Sequence, residues 1–294
     1  MRRLSKVLQE EYGEKVYKLS LNSGCTCPNR DGTVGVGGCA FCSEGGSGEF
    51  APPFLPIEEQ IQAAKRLIQK KTNARLFIAY FQSFTNTYGD IHRLKALYRE
   101  TILRDDIAVL SLGTRPDCLG EEVMEMLREL HSHKPVWIEL GLQTAHDETA
   151  RALNRGYDLR VFEEGYRRVK EAGLTAVIHV IFGLPGESRE DMLETVRYLA
   201  RLTPPPDGVK LQMLHVLKHT ELGRRYEKAP FPLLSMEEYT DLIAESVRLL
   251  PEQTVLHRLT GDGPARLLLA PDWTRNKKKV LNAINRKLAA LSLP

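Results

Sequence analysis

The chain has 294 residues, of which 42% are hydrophobic and 27% are charged, and its formal net charge is only +3. This length predicts one large domain, or one domain with a small appendage. No stretch approaches the roughly 18 apolar residues of a membrane span, and no apolar core follows the basic start as in a signal peptide. We therefore expect a cytoplasmic protein without membrane partners, in which cysteine thiols stay reduced.

Strand-like and helix-like segments alternate along the chain. Short runs rich in apolar residues predict strands over residues 16–21, 75–81, 107–112, 136–140, 175–182 and 209–216. Helical periodicity between or after them predicts helices over residues 57–71, 94–103, 120–131, 148–153, 161–172, 189–202 and 235–250. Six strand–helix units predict an α/β fold whose parallel sheet forms a barrel or partial barrel.

Four of the five cysteines lie in one glycine-rich loop after the first of these strands, at Cys25, Cys27, Cys39 and Cys42. Thiolates concentrated in this way bind soft metals or iron–sulfur clusters. All four could close a structural zinc site. Alternatively, Cys27, Cys39 and Cys42 could bind three irons of a cubane cluster and leave the fourth iron open for reaction. The spacing favours the cluster but leaves both interpretations open.

Polar loops follow most of the predicted strands, and the cysteine loop is one of them. The others are residues 82–87, 113–117, 141–144, 183–187 and 218–220. In a β/α barrel such loops meet at the carboxyl face of the sheet, where ligands bind. His215, Lys218, His257 and Arg258 lie in or after the late strands and are candidate substrate-side acids, bases or anion contacts, although core or surface roles fit them equally well.

Basic residues are concentrated near the end of the chain. From Pro271 onward, a single acid, Asp272, accompanies a basic group composed of Arg275, Lys277, Lys278, Lys279, Arg286 and Lys287. Clustered cations of this kind suit a polyphosphate partner such as a nucleic acid. A solvated face of a terminal helix is the alternative.

Several motifs together resemble radical S-adenosylmethionine (SAM) enzymes, and most closely the Elongator-catalytic-subunit-like branch and its YhcC/YtqA family. The motifs that carry the resemblance occupy residues 27–33, 39–42, 80–88, 113–119, 139–144, 154–156 and 257–264. The wide gap between Cys27 and Cys39 is similar to that of the Elongator-like branch. The resemblance implies a partial (β/α)6 TIM-type barrel at residues 16–220, an N-terminal helical segment at 1–15 and a C-terminal helical extension at 221–294.

The resemblance also implies the cofactors and the residues that bind them. Cys27, Cys39 and Cys42 would ligate a [4Fe–4S] cluster, SAM would chelate its open iron, and Cys25 would only fill space beside it. Residues matching positions that contact SAM in related barrels are Phe41, Gln82, Ser83, Thr85, Gln143, Arg155 and His179. An electron donor such as flavodoxin or ferredoxin would reduce the cluster.

The implied substrate is the wobble uridine in the anticodon loop of tRNA. The family resemblance implies conversion of 5-carboxymethylaminomethyl(-2-thio)uridine to 5-aminomethyl(-2-thio)uridine by 5′-deoxyadenosyl radical chemistry. Elongator's acetyl-CoA-dependent reaction is not expected, because the chain ends without an acetyltransferase domain. Two other functions remain open: radical SAM chemistry on a small molecule, and RNA binding by a zinc-stapled protein without catalysis.

Overall fold

The computed structural model describes residues 2–46, 48–68, 72–261 and 263–290. Its main element is an eight-stranded, fully parallel sheet in the order β1-β9-β7-β6-β5-β4-β3-β2, with β1 and β2 at the two open edges. A separate antiparallel pair is formed by β8 and β10. The strands are β1 (Arg2–Arg3), β2 (Val16–Leu21), β3 (Leu76–Phe81), β4 (Ile107–Thr114), β5 (Val136–Gln143), β6 (Thr175–Phe182), β7 (Gly208–Met213), β8 (Val216–Leu217), β9 (Val255–Arg258) and β10 (Leu268–Ala270).

Ten α-helices connect or flank these strands within the described residues. They are α1 (Leu4–Tyr12), α2 (Ile57–Ile68), α3 (Ile91–Ile102), α4 (Glu121–His131), α5 (Asp147–Ala152), α6 (Leu159–Glu171), α7 (Arg189–Arg201), α8 (Glu221–Lys228), α9 (Met236–Leu249) and α10 (Lys277–Ala290). A capping box formed by Ser235 and Glu238 opens α9. Residues 69–71, the last part of the predicted second helix, lie outside the described residues.

The partial (β/α)6 barrel is confirmed, and two further strands extend its sheet. β1 and β9 have only two and four residues, so neither offers a periodic pattern long enough to predict a strand. The predicted strand over residues 209–216 is wrong at its end: β7 stops at Met213, and β8 pairs with β10 instead. The proposed division at residues 15 and 220 stays a prediction, although strands from both flanking segments join the sheet.

Each central strand places alternate side chains on opposite faces of the sheet, which separates the helix-covered core from the interior of the half-barrel. On the helix side, residues such as Phe81, Leu110 and Ile138 are completely buried. At one end of the interior, Leu8 of α1 packs against an apolar layer that includes Val109. The interior side chains further along the strands are polar, and they lead to the carboxyl ends.

Candidate active site

A cavity of about 220 Å³ lies at the carboxyl ends of the central strands and is walled on one side by the cysteine loop. This is the face on which β/α barrels bind ligands. Of the fourteen predicted cluster, SAM and substrate-side residues, ten line it together: Cys27, Cys39, Phe41, Cys42, Gln82, Thr85, Gln143, His179, His215 and Arg258. The cysteine loop and the predicted loops at residues 82–87, 113–117 and 141–144 therefore converge on one space, whereas the loops at 183–187 and 218–220 contribute no lining residue.

Three cysteines of the loop face this cavity, and two of them are joined by a tight turn. The Cys42 amide donates to the Cys39 carbonyl at 2.9 Å. The pKa of the Cys39 thiol is raised well above its usual value by a hydrogen bond with Cys42, by burial and by the neighbouring thiols of Cys42 and Cys27. Three sulfurs crowded at one wall are a donor set that suits iron–sulfur ligation, because the bound iron would neutralise their negative charge.

The fourth loop cysteine is in a different place. Cys25 is buried, and it borders a separate depression beside α3 rather than the cavity. Its sulfur accepts a long hydrogen bond of 3.7 Å from Arg93 Nη2. Within the described residues, no group of three or more His, Cys, Asp or Glu could hold a single metal ion. Cys27, Cys39 and Cys42 share the cavity wall and Cys25 does not, so the geometry gives no support to the four-cysteine zinc interpretation.

The turn after α5 holds the cysteine loop in place. The Asn29 amide donates to the Asn154 carbonyl at 2.6 Å, and the Asn154 amide donates to the Gly38 carbonyl at 2.8 Å. Gly156 has φ +80°, and a Cβ there would lie 2.7 Å from Asn29 Oδ1. Only glycine allows this close approach without strain. The Asn-Arg-Gly motif at residues 154–156 is therefore a clamp on the cysteine loop.

A buried layer of charged residues forms the floor of the cavity. Glu139 of β5 is 1% exposed, and its carboxylate accepts from Lys18 Nζ at 2.8 Å, Ser111 Oγ at 2.8 Å and His179 Nε2 at 2.7 Å. Lys210 Nζ also contacts this carboxylate. One carboxylate thus satisfies donors from four strands, as a buried charge requires.

The pKa shifts in this layer follow from burial and from the opposing charges. Burial alone would raise the pKa of Glu139, but the charges of Lys18 and Lys210 and the hydrogen bond from His179 outweigh it and hold that pKa well below its usual value. Burial and, to a smaller extent, the nearby Lys210 charge lower the pKa of His179 to about 4, although Glu139 opposes the shift. Glu139 is therefore ionised and His179 neutral at pH 7.

Four predicted site residues lie away from the cavity wall. Arg155 is completely buried, and its guanidinium donates to the carbonyls of Leu142, Thr144 and Tyr157 at 2.6–3.0 Å. Ser83 is buried under the loop, where a Cβ at Gly48 would lie 1.9 Å from its Oγ. Lys218 is exposed at the start of the next loop, and His257 packs edge-on against Trp137 at 5.1 Å. The geometry gives no support to direct SAM contacts by Arg155 or Ser83. Backbone carbonyls already accept the hydrogen bonds of the Arg155 guanidinium, and the backbone at Gly48 covers the Ser83 hydroxyl.

Sequence reasoning also missed functional candidates that the structure brings to the cavity. Arg115 lines the wall, is buried, and forms two hydrogen bonds with Asp117 at 2.9 and 2.6 Å. It also stacks over Tyr157, with 4.7 Å from guanidinium carbon to ring centroid. Glu139 and Lys210 were missed as well. The sequence feature that could have identified them is a single charged residue within an otherwise apolar strand. A buried charge of this kind needs polar partners, which indicates a side chain that faces the barrel interior.

The members of the basic group at the chain end differ in their surroundings. Arg275 donates to Asp272 and to the carbonyls of Ala265 and Leu268, while Lys287 contacts Asp241 of α9. The remaining cations of α10 are exposed, namely Lys277, Lys278, Lys279 and Arg286. Three of them border a shallow groove together with three asparagines, and we call this group of Asn276, Lys278, Lys279, Asn282, Asn285 and Arg286 the α10 groove.

Comparison with known proteins identifies the class. The radical SAM superfamily model matches residues 22–199, and the radical SAM C-terminal domain model matches residues 206–290. The chain therefore belongs to the radical SAM superfamily, whose members bind a [4Fe–4S] cluster and SAM. The arrangement of three cysteines on one cavity wall fits that cofactor set.

Two bacterial relatives are similar over nearly the whole chain. YtqA of Bacillus subtilis strain 168 is 40% identical over 282 residues, covering 96% of this chain and 87% of YtqA. YhcC of Escherichia coli K12 is 35% identical over 282 residues, covering 96% of this chain and 90% of YhcC. Within the superfamily, the chain is a member of the YhcC/YtqA family.

A solved structure shows the same fold at low sequence identity. The archaeal Methanocaldococcus infernus Elp3 with an N-terminal deletion superimposes with a TM-score of 0.69 at 17% identity, covering 92% of this chain and 63% of that protein. The predicted radical SAM fold is thus confirmed. Within the part of the chain that the structure describes, no helix is both long and apolar enough to cross a membrane.

Proposed function

We propose that this radical SAM enzyme acts on the wobble uridine of tRNA and converts 5-carboxymethylaminomethyl(-2-thio)uridine to 5-aminomethyl(-2-thio)uridine. The observation that carries the proposal is the shared cavity, in which the three cysteines face the same space as Glu139, His179 and the strand-end polar residues. The Elongator-like resemblance of the motifs and the exposed cations of α10 support tRNA as the substrate.

In this proposal Cys27, Cys39 and Cys42 hold the cluster, while Phe41 and Gln143 border the space for SAM. Cluster and SAM together supply homolytic removal of a hydrogen atom from an unactivated carbon, a step that protein side chains cannot perform. The protein's own part is to position substrate and exclude water. Gln143 suits a positioning role, because its backbone has φ +64° and its buried Oε1 lacks a hydrogen-bond partner among the described residues.

The direct test is anaerobic reconstitution with iron, sulfide and SAM, followed by mass spectrometry of tRNA nucleosides. An electron donor such as flavodoxin or ferredoxin supplies the reducing equivalents. We expect 5-carboxymethylaminomethyluridine to decrease as 5-aminomethyluridine increases. Unchanged nucleosides in an enzyme that still cleaves SAM would favour a small-molecule substrate. Zinc without iron or sulfide would instead favour the RNA-binding alternative.

The α10 groove is proposed as a phosphate-binding surface of the tRNA site. Lysines occupy the first turn of α10, where no acid is present and where cations oppose the positive end of the helix dipole. An anion bound there would remove this unfavourable interaction. The groove also includes Asn285, which accepts from Arg3 Nη2 at 2.6 Å and so brings a further cation to its edge.

Replacing Lys278, Lys279 and Arg286 together by alanine should weaken the binding of tRNAs whatever their nucleotide sequence. Three lost phosphate contacts should reduce the slope of log K against log salt by about 2 to 3. Filter binding between low and physiological salt measures this change. The charge-matched control replaces Arg66, Arg128 and Arg167, which are exposed on the outer helices α2, α4 and α6. Equal slopes for the two triple variants would show that the α10 cations do not bind tRNA phosphates and only form a solvated helix face.

A further inference from the structure

The hydrogen bonds of Glu139 determine which nitrogen of His179 carries the proton. Glu139 is ionised and can only accept, so the proton between the two side chains resides on His179 Nε2, 2.7 Å from Glu139 Oε2. The neutral ring then leaves Nδ1 as an acceptor with a lone pair. A buried carboxylate that fixes a histidine tautomer is a recurring way to present the other nitrogen to a ligand.

Nδ1 of His179 is available to a ligand. The side chain is 19% exposed and lines the cavity, and no hydrogen bond to Nδ1 occurs in the described chain. The Glu139 carboxylate, in contrast, has its four acceptor directions occupied by Lys18, Ser111, Lys210 and His179. The floor of the cavity therefore offers a ligand one acceptor nitrogen, and Glu139 serves to orient it.

The charges around this nitrogen select which ligands it accepts. Burial is the main cause of the lowered pKa of His179, and the Lys210 charge adds to it, so the same surroundings disfavour an ammonium placed beside the ring. A neutral N–H donor is accepted, and an adjacent carboxylate is attracted. The titratable groups that face His179 come from five strands and are Lys18, Tyr80, Glu139, Lys210, His257 and Arg258.

We propose that His179 Nδ1 accepts the N–H of the substrate's secondary amine, which the cavity floor binds as the neutral base. The inference rests on the proposed function, because the carboxymethylaminomethyl group combines such an amine with a carboxylate. The amine releases its proton to water on binding, and no covalent bond changes at His179. A neutral amine retains the nitrogen lone pair, which stabilises a radical on the neighbouring methylene carbon, whereas an ammonium cannot.

The tautomer can be measured without any substrate. Long-range proton–nitrogen NMR of holoenzyme labelled at histidine, with the signal assigned by its loss in His179→Asn, should show a neutral ring protonated at Nε2 at pH 7. This state should persist well below pH 6. A protonated Nδ1, or a charged ring at pH 7, would overturn the acceptor site whatever the enzyme's substrate is.

Two substitutions separate the acceptor role from simple packing. His179→Gln keeps a donor near the Nε2 position but loses the acceptor at Nδ1, whereas His179→Asn places an amide oxygen near Nδ1. On tRNA bearing 5-carboxymethylaminomethyluridine, His179→Gln should lower kcat/KM by roughly 10- to 100-fold, because the bound N–H loses its partner. His179→Asn should recover about tenfold of that loss. Equal activity of the two variants, with unchanged thermal unfolding and iron content, would contradict the proposal.

SAM binding distinguishes substrate from cofactor as the donor. Equilibrium dialysis should give the same SAM affinity for wild type and for both variants. If His179→Gln weakened SAM binding and His179→Asn restored it, a cofactor hydroxyl would be the donor, and the substrate proposal would be wrong. If wild type left all tRNA nucleosides unchanged, the proposed function would fail, while the NMR result would still decide the acceptor nitrogen.

Discussion

Alanine at Cys39 is expected to abolish cluster binding and turnover. Cys39 faces the cavity with Cys27 and Cys42, so its loss leaves two thiolates for a cluster that needs three. Bound iron should fall from about four per chain to a small fraction. Turnover should fall by about 10³-fold or more, because the cofactor carries the difficult step. Iron and sulfide analysis with the visible absorption spectrum measures the first effect, and SAM cleavage measures the second.

Cys25→Ala is the matched control, since it removes a thiol from the same loop. Cys25 is buried beside Arg93 in a depression separate from the cavity. We expect this variant to keep its iron content and turnover and to lose about 1 kcal/mol of stability from the small void. If Cys25→Ala lost its metal as completely as Cys39→Ala, four cysteines would bind the metal, and the zinc interpretation would regain support.

Glu139→Gln should produce the largest loss of stability among single changes in the barrel interior. The substitution removes the carboxylate that pairs with Lys18 and Lys210 and leaves the buried Lys210 and the half-buried Lys18 without this counter-charge. Breaking a buried pair in this way costs about 3–5 kcal/mol. For a chain of this size, Tm should fall by about 10 °C. Calorimetry or circular dichroism measures the shift.

The exposed residue Glu164 provides the comparison, because it pairs with Arg167 and Arg168 at the surface of α6. Glu164→Gln should change stability by less than about 1 kcal/mol. A double variant, Glu139→Gln with Lys210→Met, should be more stable than Glu139→Gln alone, because it also removes a stranded cation. A double variant less stable than the single one would show that Lys210 stabilises the fold independently of Glu139.

The sign of the pH dependence follows from the lowered pKa of Glu139. A carboxylate whose folded-state pKa lies below its unfolded value contributes stability that is complete above the unfolded value. That contribution is lost as the pH falls through the folded-state pKa. The stability difference between wild type and Glu139→Gln should therefore stay constant from neutral pH to about pH 4.5 and shrink below it.

Much of the fold was predictable because periodicity reports burial directly. Strand β6 was predicted at its observed bounds, and the apolar runs of β2 and β3 placed the cysteine loop and the 82–87 loop on one face. The short strands β1 and β9 were not predictable from their own hydrophobic pattern. They form because they pair with the edge of the existing sheet, β9 with β7 and β1 with β9. Cavity placement of Gln82 and Gln143 followed from the carboxyl-end rule.

The amino-acid sequence by itself determined the class of this protein, because thiolate spacing and strand-end motifs are local properties that chemistry constrains. Only the tertiary structure separated Cys25 from the other three cysteines. It also showed that Arg155 is a buried side chain that donates hydrogen bonds to the backbone. It also joined Lys18, Glu139 and Lys210, which are far apart along the chain, into one layer. Such long-range pairing depends on the order of the strands in the sheet and on which face each side chain occupies. Neither property can be predicted from any single segment of the sequence.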